Sequence, residues 1–259
     1  MKDIEFVETS YNCDLTDKEW EVIAPFVPVG NKSKYHKRSL INAVLYLVKT
    51  GCQWRNIPHE YPPHAVVWSF FRRARDNGLW DSIMDNLVKM TRIKDGRNAS
   101  PSYALIDSQS VKTVSASEER GFDGGKKKKG RKRHIVVNTM GNLLAGEVHA
   151  ANIHDMKSGI NPATRAFKKY PTIEKFCGDA GYRKSFEEDV SSILKLTVDI
   201  VMRITPEFII LPKRWIVERT LSWLNHSRRL SKDYEITITS AEATVKISHL
   251  HTLLRRLCR

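Results

Sequence analysis

The sequence is poor in cysteine and has no long apolar segment. Its four cysteines, Cys13, Cys52, Cys177 and Cys258, are widely separated, form no CxxC pair and have no histidine at zinc-finger spacing. A disulfide framework and a structural zinc site are therefore not indicated. The longest apolar run, residues 43–48, is far shorter than the roughly twenty residues that span a bilayer. Because the start, MKDIEFVE, also lacks a signal-peptide core, we expect a cytoplasmic protein without membrane segments.

Acidic residues are too few to balance the basic ones. There are 29 Asp and Glu against 43 Lys and Arg, which gives a formal net charge of +14. This excess indicates a polyanionic partner, and nucleic acid is the first candidate. An anionic membrane surface is the second candidate, but neither terminus has the basic amphipathic helix that would favour it. The 259 residues are enough for one large domain and one small one.

Helix signals dominate the first part of the chain. A capping box at Thr16 opens a first helix that ends before Pro28, and Gly51 follows a second one over residues 39–49. A third helix starts after Pro62 and Pro63, and a fourth covers about residues 80–90. The polar segment 91–102 has no apolar period. We therefore predict a helical domain over residues 1–95 that folds alone, and a second domain over residues 96–259.

The helical domain resembles a helix-turn-helix DNA-binding module. Residues 64–77 are the candidate recognition helix, with Arg72, Arg73 and Arg75 near its end as DNA contacts. The alternative is an ordinary bundle, since exposed arginines are common and aromatic side chains are more often buried than stacked on bases. The aromatic residues concerned are Trp68, Phe70 and Phe71.

The second domain has the element order of a mixed α/β sheet covered by helices. The predicted elements are a strand at 103–106, a hairpin of 134–140 and 143–150 joined by Gly141 and Asn142, a helix at 161–170, a strand at 173–178, a helix opened by a capping box at 185–188, a strand at 196–203, an extended piece at 208–211 and a final helix. Two of these strands end in Asp107 and Asp179, which are candidate catalytic groups. The alternative is that both aspartates only form turns.

The final helix, predicted over residues 211–235, has one acid among many bases. Glu218 shares a polar stripe with Arg214, Asn225 and Arg229, and apolar residues flank the stripe on both sides. We therefore expect a largely buried helix with Glu218 in a cleft. Taken alone, the helix is better explained by a surface ion pair between Glu218 and Arg214.

A basic run stands inside the long connection predicted over residues 108–133. It contains seven bases in eight residues: Lys126, Lys127, Lys128, Lys129, Arg131, Lys132 and Arg133. Such runs are usually solvated loops. Since this one follows a glycine-containing arm and adjoins the predicted sheet, we favour contacts with DNA phosphates, and we expect His134 to be structural.

Three carboxylates that converge from two strands and a helix can hold two divalent cations, about 3.5–4 Å apart, for displacement at phosphodiesters. Oxygen ligands of this kind suit Mg²⁺, with Mn²⁺ as a substitute. Other acids in the domain are expected to have structural or solvated roles: Asp155 as a helix cap, and Asp199 and Glu207 in or beside a strand.

Several segments carry a specific resemblance. LTDKEWEVIAPFVP, LYLVKTGCQWRNIP, ALIDSQSVKT, DGGKKKKGRKRH, GDAGY and RWIVERTLSWLNHSRRLSKDYE together resemble bacterial insertion-sequence transposases of the DDE type, in the insertion-sequence-five branch. The resemblance covers nearly the whole chain and implies a ribonuclease H-like catalytic domain. It implies that Asp107, Asp179 and Glu218 are catalytic and bind two Mg²⁺ ions. It also implies double-stranded DNA as partner, at element ends and target, with a dimer or larger assembly on DNA.

The same resemblance implies the activity. The protein would bind terminal inverted repeats, specifically through residues 1–95, cleave the ends and join the 3′ ends to target DNA. The wider group often has a tyrosine seven residues before the glutamate and a lysine seven after it, where this chain has Leu211 and Asn225. We expect Arg228 and Arg229 to supply the missing charge, with Arg214 as a further DNA contact. The alternatives are a non-catalytic DNA-binding regulator or transposase remnant, and a nuclease or resolvase that does not join strands.

Overall fold

A computed structural model of the chain describes residues 11–28, 34–201 and 213–259. The helices in these ranges are α1 (Asp17–Ile23), α2 (Lys37–Thr50), α3 (His64–Asp76), α4 (Leu79–Lys94), α5 (Asp155–Ser158), α6 (Ile160–Lys169), α7 (Ser185–Asp189), α8 (Arg214–Asn225), α9 (Arg228–Ser231) and α10 (Ile238–Leu257). The strands are β1 (Tyr103–Lys112), β2 (Gly121–Asp123), β3 (Lys128–Asn138), β4 (Leu143–Ala150), β5 (Lys175–Asp179) and β6 (Thr197–Val201). The expected fold class, a ribonuclease H-like mixed sheet with flanking helices after a helical region, is confirmed.

The signals that predicted the first helices are present as contacts. The Thr16 hydroxyl accepts a hydrogen bond from the Glu19 amide at 3.3 Å, and the Glu19 carboxylate accepts one from the Thr16 amide at 2.9 Å. Gly51 ends α2 in the left-handed conformation, with φ 74°. Helix α4 continues four residues beyond the predicted end at Met90, because Thr91 and its neighbours keep helical bonds up to Lys94.

Helix α10 connects the N-terminal helices to the sheet by packing against both. It packs against α2, α3 and α4 from the helical region, and against β4 and α8. Lys246 pairs with Asp81 at 2.8 Å, and Arg75 donates to the Ser240 hydroxyl at 2.9 Å. The apolar core is therefore continuous between the helical region and the sheet. The domain division after residue 95, and folding of residues 1–95 alone, stay predictions.

In the described ranges six strands form one mixed sheet. Its order is β2-β3-β1-β5-β6, and β4 pairs with the part of β3 that follows the residues bonded to β2. Strand β1 is central, antiparallel to β3 and parallel to β5. No helix of the described residues is long and apolar enough to cross a membrane.

Strand β1 is longer than predicted, which moves Asp107 to its middle. The prediction ended the strand at Ile106, but residues up to Lys112 pair with β3. The predicted connection 108–133 therefore contains half of β1, the short β2 and the start of β3. The polar residues after Asp107 concealed this part of the strand, because it has no apolar period.

The predicted helix over residues 211–235 is interrupted. Helix α8 ends at Asn225, and α9 begins at Arg228 after a turn in which the His226 amide donates to the Trp223 carbonyl. Leu211 lies outside the described residues, as do the predicted strand end at 202–203, the extended piece at 208–211 and Glu207.

The capping box predicted at Ser185 is not formed, and the N-cap of α7 is one residue earlier, at Lys184. The amide of Lys184 donates to the Glu187 carboxylate at 2.8 Å, so Ser185 is already inside the helix. The hairpin prediction is closer to the structure: Gly141 has φ 82°, and Asn138 and Asn142 close a four-residue connection between β3 and β4.

Candidate active site

Asp107 and Asp179 lie on neighbouring parallel strands. The register pairs Leu105 with Cys177, so the two aspartates, two residues further on, occupy equivalent positions on β1 and β5. Each carboxylate accepts a local backbone hydrogen bond, Asp107 from the Ser108 amide at 2.7 Å and Asp179 from the Gly181 amide at 2.8 Å. The parallel pairing thus places two acids side by side, although only Asp179 is at a strand end.

Glu218 reaches this pair through an arginine. Helix α8 packs against β1 and β5. From its first turn the Arg214 guanidinium lies 3.2 Å from Asp179 and 3.1 Å from Glu218. The surface ion pair with Glu218 therefore exists, but the same guanidinium also binds an acid of the sheet.

The expectation of a largely enclosed glutamate is wrong. The side chain of Glu218 is 54% exposed. The buried face of α8 consists of its apolar residues, among them Val217 and Leu221, so the polar stripe faces outward. Arg214 thus links Asp179 to the exposed Glu218, and Asp107 lies beside Asp179 on the neighbouring strand.

The environment of Asp107 disfavours its negative charge. Burial, and after it the nearby Asp179 carboxylate, raise the pKa of Asp107 to about 7, against the opposing effects of the Ser108 amide, Arg214 and Lys126. A cation bound to this carboxyl would offset the cost of burying its charge and favour the ionised form.

Asp107 and Asp179 fit a divalent cation chemically, but Glu218 is not placed with them as a third ligand. Asp107 and Asp179 provide the hard oxygen ligands that Mg²⁺ and Mn²⁺ prefer. In the part of the chain that the structure describes, no three His, Cys, Asp or Glu side chains stand close enough to hold a metal ion. Glu218 is instead paired with Arg214. A third protein ligand therefore requires Glu218 to leave this pair.

A buried polar network adjoins the aspartates. The hydroxyls of Tyr182 and Ser158 each lie 3.2 Å from a ring nitrogen of His134, and Asp155 lies 2.8 Å from the Lys132 ammonium and 3.4 Å from His134. Burial lowers the pKa of His134, against the opposing effect of the Asp155 carboxylate. These contacts support the structural role expected for His134.

The helix-cap prediction for Asp155 is wrong. The cap position is His154, and the Asp155 carboxylate binds Lys132 instead of the helix amides. Burial opposes ionisation of Asp155, yet His134 and Lys132 hold the pKa of this carboxyl well below its usual range. No sequence spacing relates strand β3 to α5, so the sequence did not predict the pairing of Lys132 with Asp155.

The basic run divides into an exposed half and a buried half. Lys126, Lys127, Lys128 and Lys129 are exposed on the turn between β2 and β3 and at the start of β3. Two of them lie along β1, with the Lys126 ammonium 3.3 Å from the Ser108 carbonyl. This half adjoins the aspartates and is available to a polyanion.

The other half serves the fold, which corrects the prediction of DNA contacts there. Arg131 is fully buried and binds the Asp233 carboxylate together with three backbone carbonyls. Arg133, also buried, donates to Gln109 and Asn225 and to the Leu230 carbonyl. The remaining member, Lys132, is the buried partner of Asp155 described above. Both faces of β3 are buried from residue 130 onward. Arg131 and Arg133 therefore bind partners inside the protein.

The charge expected near Asn225 comes from a different residue. Arg229 is buried against Glu235 at 2.6 Å and the Cys52 carbonyl at 3.0 Å, so its guanidinium is directed inward, and its contact with DNA stays a prediction. Arg133 instead donates to the Asn225 side chain at 3.3 Å. Arg228 is exposed and keeps its predicted role as a proposal.

The candidate recognition helix α3 has mixed exposure. Arg72 and Arg73 are exposed, whereas Arg75 is bound to Asp76 and Ser240. Phe70 and Phe71 are buried, as the alternative interpretation expected. The remaining aromatic residue, Trp68, is exposed.

Comparisons with known proteins match two regions of the chain. Residues 98–245, more than half of it, match a family model described as "Transposase DDE domain". Residues 15–84 match one described as "Putative transposase of IS4/5 family". The two matches cover the sheet with its active-site candidates and the N-terminal helices, respectively.

Individual relatives are more distant. The chain is 28% identical over 118 residues to "Insertion element IS402 uncharacterized 16.2 kDa protein" of Burkholderia cepacia, which covers 41% of this chain and 78% of that protein. It is 29% identical over 121 residues to "Uncharacterized protein y4sN" of Sinorhizobium fredii, covering 44% and 90%. A structure described as "Crystal structure of a pre-cleavage Mos1 transpososome" aligns over 89% of this chain and 79% of that chain, with 10% identity and a TM-score of 0.31. At this TM-score the alignment supports no conclusion about this chain.

Proposed function

The chain belongs to the DDE-domain transposase family, and from this premise we propose that it cleaves DNA at the ends of an insertion element and joins the freed 3′ ends to target DNA. The observation that carries the proposal is the parallel pairing of β1 and β5, which sets Asp107 beside Asp179 with Arg214 and Glu218 adjacent. Paired carboxylates on neighbouring parallel strands, in a chain of net charge +14, suit phosphodiester chemistry on DNA.

Asp107 and Asp179 would hold the metal ions through their carboxylate oxygens, with Glu218 as the third ligand. When bound, Mg²⁺ or Mn²⁺ would activate the attacking water or hydroxyl and stabilise the leaving oxygen. The Ser108 and Gly181 amides orient the two aspartates through the bonds at 2.7 and 2.8 Å. Because these amides lie one residue after Asp107 and two residues after Asp179, the local backbone sets the orientation of each carboxylate.

Arg214 would act as a counter-ion that is exchanged during the reaction. In the free protein it neutralises Asp179 and Glu218. With cations on these acids, the Arg214 guanidinium would be free to bind the DNA phosphate next to the cleaved bond, since its planar donors match phosphate geometry. Arg214 is thus proposed to hold the acids together before metal binding and the substrate afterwards.

DNA would lie across the exposed basic residues. The proposed phosphate contacts are Arg72, Arg73, Lys126, Lys127, Lys128, Lys129 and Arg228. Recognition of element ends would come from residues 1–95, and pairing of two ends requires at least a dimer on DNA. We propose a cytoplasmic location.

The test uses the full chain and a supercoiled plasmid that carries the element's two terminal repeats. With Mg²⁺ or Mn²⁺ we expect cuts at the repeat ends and covalent joining of 3′ ends to a second plasmid, and no product with EDTA. Cuts without joining would identify a nuclease or resolvase. Binding to the repeats without any metal-dependent nicking would identify a regulator or transposase remnant.

The exposed half of the basic run gives a separate prediction. Replacing residues 126–129 with alanine should weaken binding to end DNA and to random DNA alike, because phosphate contacts carry no sequence information. In a salt titration, the slope of log K against log salt should flatten by about 0.9 for each phosphate that the variant no longer neutralises. A matched variant with the four exposed lysines Lys157, Lys168, Lys184 and Lys195 changed to alanine controls for net charge. An equal effect in both variants would show that the run has no specific role.

A further inference from the structure

A cleft of about 660 Å³ lies between the helical region and the segment that leads into α10. We call it the aromatic cleft and define it by Trp54, Trp68, Tyr234, Arg55 and Arg72, all of which line it. The first of these, Trp54, belongs to the short helical turn between α2 and α3. The acids of the active site do not line it. The cleft therefore needs an explanation of its own.

The aromatic surface of the cleft is both exposed and held in place. Trp68 stacks on the buried Phe71, with ring centroids 5.8 Å apart and planes at 25°, and meets Trp54 edge-on at 5.0 Å. Even so, Trp68 is 39% exposed and Tyr234 44% exposed. Large rings fixed by packing and left open to solvent are typical of binding sites rather than of a core.

The cleft is also cationic. Arg55 and Arg72 are exposed, and neither guanidinium makes a hydrogen bond or ion pair with any residue that the structure describes. The acid that lines the cleft, Glu235, is neutralised by Arg229 at 2.6 Å. The charge left to a ligand is therefore positive. A ligand that matches this surface has a flat ring and a negative group.

An unpaired nucleotide has this chemistry. Pockets for small ligands typically have about 300–1,000 Å³, so the cleft has room for one nucleotide. A base inside a duplex is covered on both faces by its neighbours, so only an unpaired or extruded base can stack on a protein ring. The free guanidinium groups of Arg55 and Arg72 provide donors for the phosphate.

We propose that the aromatic cleft binds one unpaired nucleotide of a DNA strand, with the base against Trp68 and the phosphate against Arg55 and Arg72. That the nucleotide comes from DNA during end processing rests on the proposed function. Binding itself requires neither metal nor catalysis. The cleft and the active site can therefore be tested separately.

Crosslinking tests the position of the base. The full chain, without metal, is irradiated with a ten-nucleotide single-stranded oligothymidylate in which one base is 5-iodouracil, and the crosslinked peptides are identified by mass spectrometry. We expect crosslinks at Trp68, Trp54 or Tyr234. Crosslinks confined to residues outside the cleft would overturn the proposal.

Substitutions at one position test the stacking itself. Trp68→Leu keeps apolar volume without an aromatic face, and we expect it to weaken oligothymidylate binding by about tenfold in fluorescence anisotropy, while Trp68→Phe weakens it by no more than about threefold. Ile193→Ala, which changes an exposed apolar residue outside the cleft, should bind as the unmodified chain does. Circular dichroism checks that each variant is folded. Equal affinity of Trp68→Leu and Trp68→Phe would overturn the proposal.

Two further outcomes separate the explanations. If Trp68→Leu prevents self-association measured by sedimentation and leaves oligothymidylate binding intact, the cleft is a protein interface and the proposal is wrong. If the cleft binds the oligonucleotide as expected while element ends are never cut, this inference stands and the proposed function fails. If ends are cut and joined while the crosslink and the Trp68→Leu effect are absent, the proposed function stands and this inference fails.

Discussion

Asp107→Asn, Asp179→Asn and Glu218→Gln are each expected to reduce metal-dependent cleavage and joining on the order of a thousandfold or more, while binding to end DNA survives. Each substitution removes one negative ligand from a site whose metal chemistry contributes several kcal/mol and acts as a unit. Every 1.36 kcal/mol of lost stabilisation corresponds to about a tenfold loss of rate. Gel assays of cleavage, and anisotropy for binding, measure the two effects separately.

The structure supplies a suitable control for this series. Asp199→Asn changes an aspartate on β6, the strand next to β5, whose carboxylate is 45% exposed and pairs with Lys175 and Tyr103. We expect it to keep most of the activity. Asp155→Asn is a poor control, because its carboxylate is part of the network around His134.

Another distribution of activity would change the assignment. An active Glu218→Gln variant together with an inactive Glu207→Gln variant would mean that the third ligand is misassigned. Full activity of Asp107→Asn or Asp179→Asn would contradict the proposal that these two carboxylates bind the metal ions. If binding to end DNA disappears along with cleavage, the substitutions have damaged the fold and not only the chemistry.

Arg131→Met is expected to lower the free energy of unfolding by about 3–5 kcal/mol, the cost of removing one partner of a buried ion pair. The guanidinium is fully buried, 3.0 Å from the Asp233 carboxylate, and donates to the carbonyls of Glu118, Glu235 and Ile236. Methionine fills much of the volume but removes the cation that pairs with the Asp233 carboxylate and the two donors to the Glu118 carbonyl. In a thermal melt this destabilisation should lower Tm by roughly 10 °C for a chain of this size.

Lys129→Met is the matched control, since it changes an exposed base on the same strand and should shift the stability by no more than about 0.5 kcal/mol. The double variant Arg131→Met with Asp233→Asn should recover part of the stability, because the unpaired buried charge is then removed. Should Arg131→Met be as stable as Lys129→Met but bind DNA more weakly, the prediction of Arg131 as a phosphate contact would be right.

Local signals were sufficient for much of the fold. The capping box at Thr16 and the left-handed Gly51 were predicted from residue type, because each depends on neighbours within four positions. The strand that carries Asp179 was predicted from its apolar run. The resemblance identified Asp107, Asp179 and Glu218 as the candidate acids, and the family it implied is confirmed.

The sequence-based predictions were wrong where the structure of one segment depends on contacts with a segment distant in the sequence. The second half of β1 is polar and forms a strand only because β3 lies beside it. The break between α8 and α9 placed Arg229 against Glu235 and Cys52 instead of beside Glu218. Neither the local hydrophobic period nor the helical spacing contains this information.

The sequence by itself determined the class of fold, the family and the candidate acids, because short-range capping, apolar periodicity and specific motifs are all local properties of the chain. Only the tertiary structure decided which bases are free. Among the seven bases of the run, those at the turn face solvent, while Arg131 donates to Asp233 and Arg133 donates to Gln109. Charge counts treat all of these as equal. Burial separates them, since a charged group removed from water must find its partners inside the protein.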